Sequence, residues 1–238
     1  MAYYAFLRLL IFIILLFIGK RTVHGAENIP ATGPYIIVVN HMSKADTPLL
    51  YCSLPLISLR FFAGEKWQEH WLFGPMLKYA GAIYIDRGTV DRRALREALA
   101  SIEAGSVFAL APEGQRSQVG YLLEGKDGAA FLASKARVPI LPVGIENSDI
   151  LGANVKRLRR THVHVRFGEP FYLPEPEGRL RSSDMAAYTH LIMIHIANQL
   201  PPRYHGVYAD CPALAALQRG EEPWPYCLEP ANLTGRPT

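Results

Sequence analysis

The stretch Pro34-Tyr35-Ile36-Ile37-Val38-Val39-Asn40-His41 decides the fold class. A β-branched run without polar alternation reads as a strand buried on both faces, the pattern of a parallel sheet covered by helices. The run breaks at Asn40-His41, and Thr47-Pro48-Leu49-Leu50 then opens as a helix with Pro in its first turn. The same rhythm recurs outward from this point. Residues 60–63, 81–85, 106–110 and 140–145 read as further short strands, and 161–167 alternates as a half-buried one. Residues 91–104 read as a helix with Asp91 as cap, Leu95, Leu99 and Ile102 as apolar stripe and Gly105 as stop. Residues 128–136 form another helix. A late one spans 183–200, capped by Ser182 or Ser183 and stopped by Pro201-Pro202. Strands alternating with helices predict an α/β fold, a central sheet flanked by helices.

Bulk properties narrow the function classes. With 238 residues, 50% hydrophobic and 19% charged, the chain can bury one sizeable core. A net charge of +4 suits an anionic partner but is too small to imply nucleic acid without a clustered face. Cys52, Cys211 and Cys227 lie far apart with no metal-type spacing, which fits a reduced compartment. At the N-terminus, Arg8 is the only charge from Ala2 to Ile18. As a helix this stretch spans about 26 Å, slightly short of a hydrocarbon core of roughly 30 Å. It is expected to be a short membrane helix, spanning or partly inserted; a cleaved signal peptide is the rival, but no small-residue cleavage site comes after it. Lys20 and Arg21 would hold the downstream domain on the cytoplasmic side of the cell membrane. The expected organisation is a membrane-associated helix at 1–22, a catalytic domain at 23–208 and a Pro-rich tail at 209–238, loose or wrapped over the surface.

Two constellations carry chemistry. In Asn40-His41-Met42-Ser43-Lys44-Ala45-Asp46, a His directly after a buried strand sits where α/β sites form. A neutral imidazole can take a hydroxyl proton near neutral pH, and a carboxylate can hold its tautomer. Five residues of separation need a loop or helix start between them; a helix-capping Asp beside a surface His is the bland alternative. Backbone N–H groups after Asn40 are candidates for a tetrahedral oxyanion. In Pro112-Glu113-Gly114-Gln115-Arg116-Ser117, also after a strand, Gly permits close backbone approach and Arg offers a planar fork for phosphate. Asp86-Arg87 puts a second Arg at a strand end. Arg residues at two strand ends and a His–Asp pair at a third suggest one site for an anionic substrate. Dinucleotide, Walker and serine-hydrolase signatures are absent from the sequence. His162-Val163-His164 reads as a solvated strand face, and Trp67, Trp71 and Phe73 as core packing or an interfacial or acyl-binding group. Lys156-Arg157-Leu158-Arg159-Arg160 reads either as a soluble basic loop or as a contact for anionic head groups.

These blocks, with Val138-Pro139-Ile140-Leu141-Pro142-Val143, occur in the order found in lysophosphatidate acyltransferases (1-acyl-sn-glycerol-3-phosphate O-acyltransferases), and the chain resembles that family over residues 23–208. Gln115 departs from the family's usual Thr. The resemblance implies His41 as general base with Asp46 orienting it, and Arg87 and Arg116 on the acceptor phosphate. Asn40, Glu113, Gly114 and Ser117 would shape the acceptor site. It implies no metal and no cofactor, acyl-CoA or acyl-carrier protein as co-substrate, and lysophosphatidate or a related acceptor drawn from membrane lipids. Rival readings are a same-fold acyltransferase acting on glycerol 3-phosphate or another lysolipid, and a non-catalytic lipid-binding protein at the membrane.

Overall fold

The computed structural model describes residues 9, 19–71, 73–86, 91–176, 178 and 181–228. Seven strands form one sheet: β1 (Gly19–His24), β2 (Ile36–Val39), β3 (Leu59–Gly64), β4 (Ala82–Ile85), β5 (Val107–Leu110), β6 (Ile140–Glu146) and β7 (Thr161–Phe167). Their order across the sheet is β1-β7-β6-β2-β5-β3-β4. Strands β2 to β6 run parallel; β7 is antiparallel to β6, and β1 is parallel to β7. The carboxyl ends of β2–β6 therefore share one sheet edge with the amino ends of β1 and β7.

Strand β2 lies mid-sheet and is buried throughout, because its side chains alternate into two cores. Ile36 and Val38 pack with Phe108, Ala98 and Ile192 on one face; Ile37 and Val39 pack with Leu49, Phe61 and Val143 on the other. The first face is covered by helices α3 (Arg92–Glu103), α4 (Gly128–Ala136) and α6 (Ser182–Ala197). The second is covered by α1 (Asp46–Ser53). Helix α2 (Phe73–Tyr79) connects β3 to β4, and α5 (Ser148–Lys156) connects β6 to β7.

The α/β reading holds, with informative departures. Lys20 and Arg21, expected as the flank of a membrane helix, lie in edge strand β1, so the expected boundary at 22 falls inside an element. Polar residues at an edge strand give no hydrophobic pattern to read. Asp91 caps α3 through Ala94 N–H (2.9 Å), but Ala94, Ala98 and Ile102 form its fully buried stripe, with Leu95 and Leu99 flanking it. Small Ala side chains let the helix sit close to its neighbours. Helix α6 has Arg181, not Ser182 or Ser183, at its N-cap, and the carboxylate of Asp184 in its first turn accepts the Arg181 N–H (2.7 Å). Helix α5 is not legible in the sequence.

The segment after 208, expected to be loose or wrapped over the surface, is ordered and packed over its described residues. It forms α7 (Pro212–Gln218) and α8 (Trp224–Cys227), with Cys211, Ala213, Leu214, Ala216 and Cys227 buried. Proline starts each helix in its first turn, where its missing N–H has no partner to lose. Among the described residues no helix is long and apolar enough to cross a membrane. The expected N-terminal helix falls on residues of which only Leu9 is described, and residues 229–238 also lie outside the described set.

Candidate active site

Strand β2 ends at the shared carboxyl edge, and the turn beyond it carries His41 into the first turn of α1. This turn brings residues five apart together: His41 Nδ1 lies 2.9 Å from Asp46 Oδ2. A carboxylate only accepts, so Nδ1 carries the hydrogen and Nε2 is left as the basic nitrogen. Asp46 Oδ2 also accepts the N–H groups of Met42 and Ser43, both at 2.7 Å. The carboxylate, 3% exposed, is thus fixed by backbone before it orients the ring.

The loop after β5 clamps the same turn from the other side. His41 N–H donates to Glu113 Oε1 (2.8 Å), Leu123 N–H donates to Glu113 Oε2 (2.9 Å), and Ser117 N–H donates to His41 O (2.8 Å). Ser117 Oγ donates to Tyr121 O (2.6 Å). Burial pushes the Glu113 carboxyl up to about 7, while the N–H groups of Leu123 and His41 pull it back. Asn40 bridges to β6 by donating from Nδ2 to Ile145 O (3.0 Å) and accepting Ile145 N–H at Oδ1 (2.7 Å). Asn40, Glu113 and Ser117, anticipated as substrate contacts, therefore engage the protein's own backbone and hold the His41 turn in place. Asn40→Asp sets one oxygen against Ile145 O and is expected to cost about 1–3 kcal/mol. A thermal melt checks this as a Tm lower by roughly 2–4 °C per kcal/mol.

The anticipated oxyanion donors are not available in this form. The N–H groups of His41, Met42 and Ser43 already donate to Glu113 and Asp46. Sequence could not reveal this, because Glu113 reaches the turn only through the sheet.

His41 and Asp46 line a cavity of about 770 Å³. Pairing between β3 and β5 stops at Phe61 opposite Ala109. Leu59, Phe61 and Phe62 of β3 line the cavity together with Ala109 and Leu110 of β5, so side chains from both faces of the sheet reach it. Leu50, Ile85, Leu95 and Met185 extend the apolar wall. Among the described residues its cations are Arg92 and Arg96, one turn apart on α3, and Lys126. Arg93, on a different face, pairs with Glu65, Asp91 and Glu97, whereas Arg92 and Arg96 have no carboxylate partner among the described residues. Gly114, at φ 67°, leaves room for the Lys126 side chain: a Cβ there would stand 2.9 Å from Lys126 Cδ. Sequence reasoning misses these three cations. The i, i+4 spacing of the arginines is readable, but nothing in the sequence ties them to His41.

Arg116, by contrast, is partly buried and does not line the cavity, although its neighbours Gly114 and Gln115 do. Arg87 lies outside the described residues; Asp86 before it lines the cavity. The segment after α6 braces the whole loop. Tyr204 O accepts Leu122 N–H (2.9 Å), and Tyr208 OH accepts Gly125 N–H (3.0 Å) beside Lys126. His162 and His164 face β1, within 2.7 Å of Thr22 Oγ1 and 3.1 Å of His24 Nε2 respectively. Among the described residues no group of three or more His, Cys, Asp or Glu is placed to hold a metal.

Comparison with known proteins converges on one family. The model of the acyltransferase family matches residues 20–146. The chain is 30% identical over 150 residues to a probable 1-acyl-sn-glycerol-3-phosphate acyltransferase of Mycoplasma pneumoniae, covering 60% of this chain and 56% of that protein. It is 34% identical over 147 residues to the human 1-acyl-sn-glycerol-3-phosphate acyltransferase alpha, covering 58% and 50%. The chain thus spans about half the length of these relatives. Among solved structures it is similar to the 1-acyl-sn-glycerophosphate (LPA) acyltransferase PlsC from Thermotoga maritima, with TM-score 0.59 and 26% identity over 80% of this chain and 84% of that one.

Proposed function

This chain belongs to the acyltransferase family, and from that premise we propose that it moves a fatty acyl group from a thioester to the free hydroxyl of 1-acyl-glycerol 3-phosphate, forming phosphatidate. The relatives above carry that activity in their names. The observation that carries the reading is a His41 imidazole anchored at Nδ1 on Asp46 and lining a cavity with an apolar wall and three cations. His41 Nε2 takes the acceptor's hydroxyl proton as its oxygen attacks the thioester carbonyl. The C–O ester bond forms, the C–S bond breaks, and the departing sulfur receives the proton from His41. The thioester already has a good leaving group, so no covalent acyl-enzyme is required.

The apolar wall suits an acyl chain. Arg92, Arg96 and Lys126 suit phosphate oxygens; Arg87 follows the cavity-lining Asp86 in sequence and is expected on the same phosphate, whereas Arg116, which does not line the cavity, is left out of the proposed clamp. The donor is acyl-CoA or acyl-carrier protein. Residues 1–18 attach the chain to the cell membrane, with the domain on the cytoplasmic face.

The test supplies the purified chain with labelled acyl-CoA and, separately, 1-acyl-glycerol 3-phosphate, glycerol 3-phosphate or a lysophosphatidylcholine. Phosphatidate from the first acceptor is expected. Preference for either other acceptor, or no product at all, overturns the assignment. Arg92→Ala and Arg96→Ala are each expected to raise KM for a phosphate-bearing substrate about tenfold. An unchanged KM in both removes the cations from the clamp.

A further inference from the structure

The loop between α5 and β7 stands out at the sheet edge that carries His41. Strand β7 begins at Thr161, but its pairing with β6 starts only at His164, opposite Glu146. About 10 Å of β7 therefore projects beyond the end of β6. Strand β1 runs alongside this projection, Gly19 opposite Thr161, and the apolar sequence of residues 9–18 joins the sheet at that point.

At the crest sits Leu158, 97% exposed and at φ 54°, between Lys156, Arg157, Arg159 and Arg160. The turn is built to present it: Leu158 N–H donates to Val155 O (3.0 Å), and Arg157 and Arg159 N–H both donate to Asn154 O (3.0 and 2.8 Å). Among the described residues Lys156, Arg157 and Arg159 pair with no carboxylate. The nearby Glu146 is already held by Arg166 and Arg203, both at 2.7 Å. A second exposed apolar residue lies on the same edge. Strand β3 ends there; the segment leading from it into α2 carries Trp71, 82% exposed, and α2 itself starts with the partly exposed Phe73. Lys66 lies 5.8 Å from the Trp67 ring in the same segment. Strands β7 and β3 are about 19 Å apart across the sheet, with β2 and His41 between them.

We infer that this carboxyl edge is a docking face for an anionic lipid bilayer, with Leu158 and Trp71 inserting on either side of His41 and the basic loop meeting the head groups. An apolar tip ringed by cations matches a surface whose head groups are negative and whose interior is apolar. Trp is suited to the level between them. Continuity with residues 9–18 favours a bilayer over nucleic acid, which would leave both apolar side chains in water.

The test uses the full chain in vesicles, with nitroxide labels at Leu158→Cys, Trp71→Cys and, as control, Leu56→Cys. Leu56 precedes β3 at the opposite sheet edge and is 56% exposed. The native cysteines are buried, and the unsubstituted chain measures their background labelling. In phosphatidylcholine vesicles containing phosphatidylglycerol, labels at 158 and 71 are expected about 5–10 Å below the phosphates, with the label at 56 in water. Arg157→Glu combined with Arg159→Glu is expected to withdraw the label at 158. A label at 158 as water-accessible as that at 56, or a depth independent of lipid charge, overturns the docking face. Acyl transfer in detergent micelles, measured in parallel, reports separately on the reaction proposed above.

Discussion

His41→Ala is expected to lower kcat by about 10²–10⁴ while leaving the fold intact. The fold survives because the contacts His41 makes with the 113–117 loop are backbone ones, N–H to Glu113 and C=O from Ser117, which Ala retains. The ring, 20% exposed, bonds only Asp46 among the described residues, and Asp46 keeps the N–H groups of Met42 and Ser43. What disappears is a basic nitrogen held at one angle. The loss should therefore fall on kcat with KM for the acceptor little changed, because phosphate and acyl chain are held elsewhere in the cavity. Steady-state kinetics beside a circular-dichroism melt separates the cases. Near-normal turnover removes His41 as the base; a collapsed melt shows that the ring supports the fold.

Glu113→Gln is expected to destabilise the chain by about 1–3 kcal/mol at low pH, and by less as pH rises. Both carboxyl oxygens accept buried backbone N–H groups, and an amide turns one acceptor into a donor facing a donor. The pH dependence comes from burial. In the folded chain the carboxyl holds its proton up to about 7; unfolded, it loses it near the ordinary value of 4.5. A raised carboxyl contributes stability that is present below the unfolded value and is lost as pH rises through the folded one. Between pH 5.5 and 8 the wild type should lose about 2 kcal/mol from this group. Glutamine does not ionise, so that slope should be missing from its denaturation curves. Parallel slopes for both proteins would show that Glu113 is ionised throughout.

The site is thus two layers, and they differ in how far sequence reveals them. His41 and Asp46 are readable as a pair because their spacing is local and the strand before them is unmistakable. Glu113 and Ser117 are readable as important, but not as a clamp, since their bonds to His41 bridge strands that are adjacent only in the folded sheet. The Arg92–Arg96 pair can be placed on one helix face, yet nothing local says that this face meets the cavity. The segment after 208 misleads because its prolines resemble linker punctuation. Their position at helix starts is a property of what they pack against.

What the sequence by itself determined is the layered α/β class, the strand that delivers His41, and Asp46 as its candidate partner, all consequences of side-chain period and short-range geometry. Tertiary structure alone decided that the ends of β2, β3 and β5 enclose one cavity with α3 and that Arg92, Arg96 and Lys126 line it. It alone set Leu158 at the same sheet edge as His41. Those facts depend on strand order and register, which arise from burial of both sheet faces at once and are not written in any single stretch of residues.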